Sequence, residues 1–65
     1  MTNKELIEVL EKRIANCKKR IEEVEHNPSY VSLGGALTTQ GIYWARYWKG
    51  QLKAYEILLK DLRGE

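Results

Sequence analysis

An all-α antiparallel helical hairpin, two long helices assembling with further copies into a homo-oligomeric helical bundle, is what this sequence predicts. Three observations predict it. Apolar residues in the first part of the chain form one narrow heptad stripe. Those in the second part cover an arc about twice as wide. Between the two lies a stretch containing Pro28, Gly34 and Gly35. With 65 residues the chain holds a single domain. A core that small is marginal alone, so helix packing and association with other copies carry the expected stability.

The first helix is predicted over about residues 3–26. Thr2 followed by Glu5 fits a capping box, with Thr2 accepting from the backbone and Glu5 reaching back. Ile7, Leu10, Ile14, Cys17, Ile21 and Val24 then recur at alternating spacings of three and four. On a helical wheel they occupy an arc of roughly 100°, with Leu6 at its edge, enough for one partner helix. The remaining surface is charged. Glu8–Lys12, Lys18–Glu22 and Lys19–Glu23 are i,i+4 pairs worth about 0.2–0.5 kcal/mol each at most. His26-Asn27-Pro28 ends the helix, because a residue before proline avoids the helical region and Asn tolerates a left-handed cap.

The connection, about residues 27–36, is long for a simple hairpin. Its apolar members Tyr30, Val31 and Leu33 are expected to fold over the open end or to bury against another copy. The second helix is predicted over about residues 37–62, roughly 39 Å against roughly 35 Å for the first, lengths that suit an antiparallel pair. Its main seam is Gly41, Ala45, Trp48, Leu52, Tyr55, Leu59 and Leu62. Beside it lie Trp44, Tyr47, Gln51, Ala54 and Leu58, and together the two sets span roughly 180°. Arg46, Lys49, Lys53, Glu56 and Lys60 take the opposite side. Ile42 falls among them and is expected to lie under the loop. One helix therefore needs one neighbour and the other needs two. A dimer with the second helices central would form a four-helix bundle.

Composition removes several function classes. One cysteine and one histidine make neither an internal disulfide nor a tetrahedral zinc site. Cys17 and His26 lie on opposite sides of the first helix and about 13 Å apart along it, which rules out a nucleophile–base dyad within one chain. Cys17 reads as a small buried hydrophobe and His26 as a capping residue. With no acid–base pair and no metal set in view, an enzyme is not expected, nor is a cofactor. No apolar run reaches the roughly 20 residues that span a membrane. The free thiol and the absence of a signal-peptide pattern point to the cytoplasm.

The best chemical candidate is Ser32-Leu33-Gly34-Gly35-Ala36-Leu37-Thr38-Thr39. Glycines followed by hydroxyls at a helix start can cradle a phosphate with backbone N–H groups. It is not a P-loop, since the Gly-Lys-Ser/Thr ending and the preceding strand are missing. The plainer alternative is a turn with Thr38 or Ser32 as N-cap. Trp44, Tyr47 or Tyr30 could stack a base and Arg46 or Lys49 could offset charge. The candidate ligand-binding set is thus Tyr30, Ser32, Gly34, Gly35, Thr38, Thr39, Trp44, Arg46, Tyr47 and Lys49. Trp48 and Tyr55 lie on the seam and are expected in the core. Trp44 and Tyr47 lie off it, left for an oligomer interface or a ligand.

A charged first helix followed by a helix of the type Tyr47-Trp48-Lys49-Gly50-Gln51-Leu52-Lys53-Ala54-Tyr55-Glu56 resembles the short helical proteins of phages and mobile elements. Some of those are oligomeric sponges that sequester cyclic oligonucleotide signals in pockets between protomers. The resemblance covers the hairpin architecture and the mix of aromatic, basic and hydroxyl residues. It implies a nucleotide-binding oligomer and assigns no individual residue a role.

The expected function is non-enzymatic: a homo-oligomer, dimer or higher, binding or sequestering a small anionic, nucleotide-like ligand at the loop end. The alternative is a protein-interaction module, an inhibitor or adaptor docking helix to helix on a host protein. A third reading uses the basic stripe on nucleic acid, against which the net charge of +2 argues.

Overall fold

A computed structural model describes residues 2–64 as two helices packed along their lengths. Helix α1 spans Asn3–His26 and α2 spans Thr39–Arg63. The hairpin measures 47 × 15 × 15 Å. Two ion pairs between the helices show the antiparallel sense. Lys49 Nζ lies 4.0 Å from Glu25 Oε1 near the loop, and Arg63 Nη2 lies 3.5 Å from Glu11 Oε2 near the far end.

Helix α1 starts as its capping signal requires, with the Thr2 hydroxyl accepting from the Glu5 N–H at 3.2 Å. The reciprocal half of the box differs from expectation. Glu5 Oε1 instead accepts a hydrogen bond from the Thr2 hydroxyl at 3.2 Å, so both bonds converge on the Thr2 side chain. At the other end Asn27 is extended, with φ −81 and ψ 122, rather than left-handed. The steric demand of Pro28 on the residue before it outweighs the tolerance of Asn for the left-handed region. His26 closes the last turn by donating from Nδ1 to the Glu22 carbonyl at 2.9 Å. Among the described residues the charge pair formed within this helix is Arg20–Glu23 at 3.1 Å, not the expected i,i+4 set. Such exposed pairs interchange at little cost.

The connection is a small antiparallel hairpin. Val31 faces Leu37 across a single bridge, flanked by Thr38 N–H to the Tyr30 carbonyl at 2.9 Å and Ser32 N–H to the Ala36 carbonyl at 2.7 Å. Gly35 N–H closes the turn on the Ser32 carbonyl at 2.9 Å, with Gly35 in the left-handed region at φ +87. This bridge holds Leu37 extended, and α2 therefore starts at Thr39 rather than near residue 37. Thr38 is its N-cap, its hydroxyl accepting from Gly41 N–H at 3.1 Å. Gly64 ends α2 in the left-handed conformation at φ +74. Gly35→Ala is expected to cost about 1–2 kcal/mol, the penalty of placing a Cβ in that region. Gly34→Ala, with no atom within 4 Å of the new methyl, stays within about 0.5 kcal/mol. Urea denaturation of the two variants measures the difference.

Tyr30 and Val31 fold over the open end and are half-buried, but Leu33 sits at the turn tip, fully in solvent. Ile42 is also not covered by the loop and remains 41% exposed. The loop closes on the neighbouring residue. Gly41 is buried beneath the Tyr30 backbone. The buried apolar set is small: Leu10, Cys17, Val24 and Ala45. Trp48, Leu52, Tyr55, Leu59 and Leu62, expected on the seam, are half-buried. Among the described residues the fold is one helix on another, with no third layer behind α2.

Candidate functional site

Four aromatic rings follow one another along α2 in alternating edge-to-face contacts. Tyr43 meets Trp44 at 5.2 Å between centroids, Trp44 meets Tyr47 at 5.7 Å, and Tyr47 meets Trp48 at 5.0 Å. All three pairs stand at 81–83°, the orientation that sets a ring's positive edge on its neighbour's negative face. Trp44 and Tyr47, three residues apart, share a helical face, while Tyr43–Trp44 and Tyr47–Trp48 are chain neighbours whose large rings meet at their edges. The ladder runs outward from the helix interface. Trp48 is half-buried, while Trp44 is 38% exposed and Tyr47 44%. Tyr43 is further out still.

The ladder separates two grooves. One, of about 340 Å³, lies between the helices and is lined by Asn16, Arg20 and Glu23 of α1, by Tyr30 of the loop and by Trp44 and Trp48. The other, of about 460 Å³, lies on α2 alone and is lined by Thr39, Ile42, Tyr43, Arg46 and Tyr47. The ten residues expected as one ligand site are thus divided. Tyr30 and Trp44 belong to the first groove, and Thr39, Arg46 and Tyr47 to the second. Ser32, Gly34 and Gly35 are exposed at the turn. Lys49 faces α1 and pairs with Glu25.

The loop hydrogen bonds matter for the phosphate-cradle expectation. Gly35 and Thr38 N–H groups are already bonded to loop carbonyls. The Thr38 hydroxyl accepts from Gly41 and donates to the Tyr30 carbonyl at 3.3 Å. These groups hold the loop itself. In an α-helix the first N–H groups lack an intrahelical acceptor. Gly41 is satisfied by Thr38 Oγ1 and Ile42 by the Thr38 carbonyl. The cap thus leaves the Thr39 and Gln40 N–H groups at the start of α2, next to the second groove.

Three polar α1 residues of the first groove were not among the candidates. Arg20 and Glu23 occupy one edge of the α1 stripe with Asn16. Arg13, one heptad before Arg20, reaches across to α2. Its guanidinium carbon sits 5.8 Å from the Tyr55 ring centre, and Nη1 donates to the Tyr55 hydroxyl at 3.4 Å. The repeated arginine at the border of an apolar stripe is the signal that marks such residues.

Compared with protein-family models, curated proteins and solved structures, the chain matches none. Its own chemistry therefore carries the reading. Among the described residues no cluster of three or more His, Cys, Asp or Glu side chains could hold a metal ion. No described helix is long and apolar enough to cross a membrane.

Cys17 is 1% exposed, and burial pushes its thiol above the ordinary value. The folded chain keeps the proton longer than the unfolded chain. The thiol's contribution is therefore complete below its ordinary pKa and is lost as pH rises past it. Native alkylation with iodoacetamide at pH 8 is expected to run at least about 100-fold slower than in guanidinium, because reaction waits for opening. Mass spectrometry of timed samples measures it.

Proposed function

We propose that this protein acts by binding rather than catalysis, as a homo-oligomer that docks helix against helix through the outer face of α2. The observation that carries this reading is the exposure of Tyr43, Trp44, Tyr47 and Leu58, at 62, 38, 44 and 50%. Single exposed apolar side chains are ordinary, but a run of them on one helical face marks an interaction surface. Helix α1 covers the other side of α2 and leaves this one open. Large aromatic side chains supply most of the energy at such interfaces. Light scattering at low micromolar concentration is expected to give a multiple of 7.6 kDa. A folded monomer at that concentration removes the proposal. Capture of one stoichiometric host protein by a monomeric chain would make it an inhibitor or adaptor instead.

A second reading is supported by the groove of Thr39, Ile42, Tyr43, Arg46 and Tyr47. A hydroxyl, a guanidinium and two rings gather there beside unbonded N–H groups. That combination suits a small anion carrying a flat ring. It moves the ligand site from the glycine turn to the first two turns of α2. A thermal-shift panel of mono-, di- and cyclic nucleotides tests it. Stabilisation lost in Arg46→Ala supports the groove, and no shift at millimolar ligand removes it.

A further inference from the structure

We propose that the partner on this face is a second copy of the chain, docked with α2 antiparallel to α2 about a two-fold axis between Gln51 and Ala54. The inference rests on self-association through the aromatic face and adds the orientation and register.

Trp44, Tyr47, Gln51, Ala54, Leu58 and Asp61 form a second heptad seam, spaced alternately by three and four. None of them is buried in the hairpin: Gln51 is half-buried and the others are exposed. Bulk is distributed unequally along this seam. The rings lie in its first half, and Ala54, Leu58 and Asp61 in its second. Parallel docking would set ring on identical ring and the Asp61 carboxylate against its own copy, a like-charge contact in an apolar seam. Antiparallel docking sets large against small: Tyr47 on Leu58, Gln51 on Ala54. It also carries each Asp61 to the level of Trp44, whose indole N–H is a donor for the carboxylate. The charges thus choose the antiparallel sense.

The contact is self-complementary, as a two-fold interface must be. The two Gln51 amides meet beside the axis, where each offers a donor and an acceptor to the other. Gln51 is the polar residue at the centre of the seam, flanked by Tyr47 and Ala54, and such a residue is a register device because a slip takes it away from its partner.

Oxidative cross-linking of variants with one added cysteine tests the register. The substituted positions are exposed, so the hairpin tolerates them, and Cys17 at 1% exposure does not compete. In the proposed arrangement the two Ala54 positions are offset by about 4.5 Å along the helix direction, and the two Leu58 positions by about 16.5 Å. A disulfide spans Cα atoms about 4.4–6.8 Å apart. Copper-phenanthroline is expected to convert Ala54→Cys to a covalent dimer and to leave Leu58→Cys uncoupled. An equal mixture of Tyr47→Cys and Leu58→Cys is expected to yield the heterodimer. Self-coupling of Leu58→Cys as fast as Ala54→Cys would establish parallel docking and overturn the proposal. A dimeric Ala54→Cys protein that does not couple would place the interface elsewhere and also overturn it. A wild-type chain that scatters as a monomer defeats the association reading itself, a different failure from either.

Discussion

Gly41→Ala is expected to destabilise the hairpin by about 2 kcal/mol, although it replaces glycine by the best helix former inside a helix. On propensity alone the change gains about 1 kcal/mol. The surroundings reverse the sign. A Cβ at residue 41 would lie 2.5 Å from the Tyr30 carbonyl oxygen, 3.0 Å from Tyr30 Cβ and 3.3 Å from Leu37 Cδ2. That carbonyl is backbone and is already used, accepting from the Thr38 N–H and hydroxyl. It cannot retreat without loosening the cap of α2. Overpacking of this kind costs about 1–3 kcal/mol, and loss of an N-cap about 0.5–2 kcal/mol more. Thermal unfolding followed at 222 nm should show a fall of roughly 8–16 °C for a domain of this size. An unchanged or raised midpoint would mean that the loop does not rest on Gly41.

Leu58→Lys is expected to separate the copies while leaving the hairpin folded. Leu58 is 50% exposed within one chain, so a lysine there disturbs little of the α1–α2 contact. In the docked pair it faces Tyr47 of the second copy, where a charge would be stranded against a ring. A central interface residue carries about 2–4 kcal/mol, which is roughly 30- to 1,000-fold in Kd. The variant should scatter as a monomer at micromolar concentration with its far-UV helix signal retained. Its midpoint should lose the dependence on protein concentration that an associating chain shows. Lys53→Ala, on the basic side of α2, should leave the mass unchanged. If Leu58→Lys keeps the wild-type mass, the outer face of α2 is not where copies meet.

Much of the architecture is legible in the sequence. The heptad stripe from Ile7 to Val24 identifies a helix with one partner, and three members of that stripe are buried. The split of α2 into an inner seam and an outer set follows from angle alone, and Ala45 is buried while Trp44 and Tyr47 stay exposed. Thr2 announces its helix because a hydroxyl before free N–H groups has one favoured use, whereas Thr38 is one of two cap candidates, beside Ser32, for a helix expected from about residue 37. The candidate site was less legible. Periodicity could not show that Val31 and Leu37 pair, because a single bridge has no repeat. Without that pairing, the Thr38 hydroxyl and the Gly35 and Thr38 N–H groups looked available to a phosphate. Arg20 and Glu23 were missed because charged residues at a stripe's edge look solvated until the opposing helix is placed.

Residue spacing along the chain therefore settles which faces of each helix are apolar, since that depends on a fixed 100° per residue. It cannot settle which polar groups are already spent, because hydrogen bonds such as Thr38 to Tyr30 join residues brought together by the loop's own path. Nor does it show that Gly41 is needed for want of a Cβ, which emerges only when the Tyr30 carbonyl lies over it. The exposed seam of Trp44, Tyr47, Ala54 and Leu58 joins the two levels. Spacing alone draws it, and the packing of α1 on the other side of α2 leaves it uncovered.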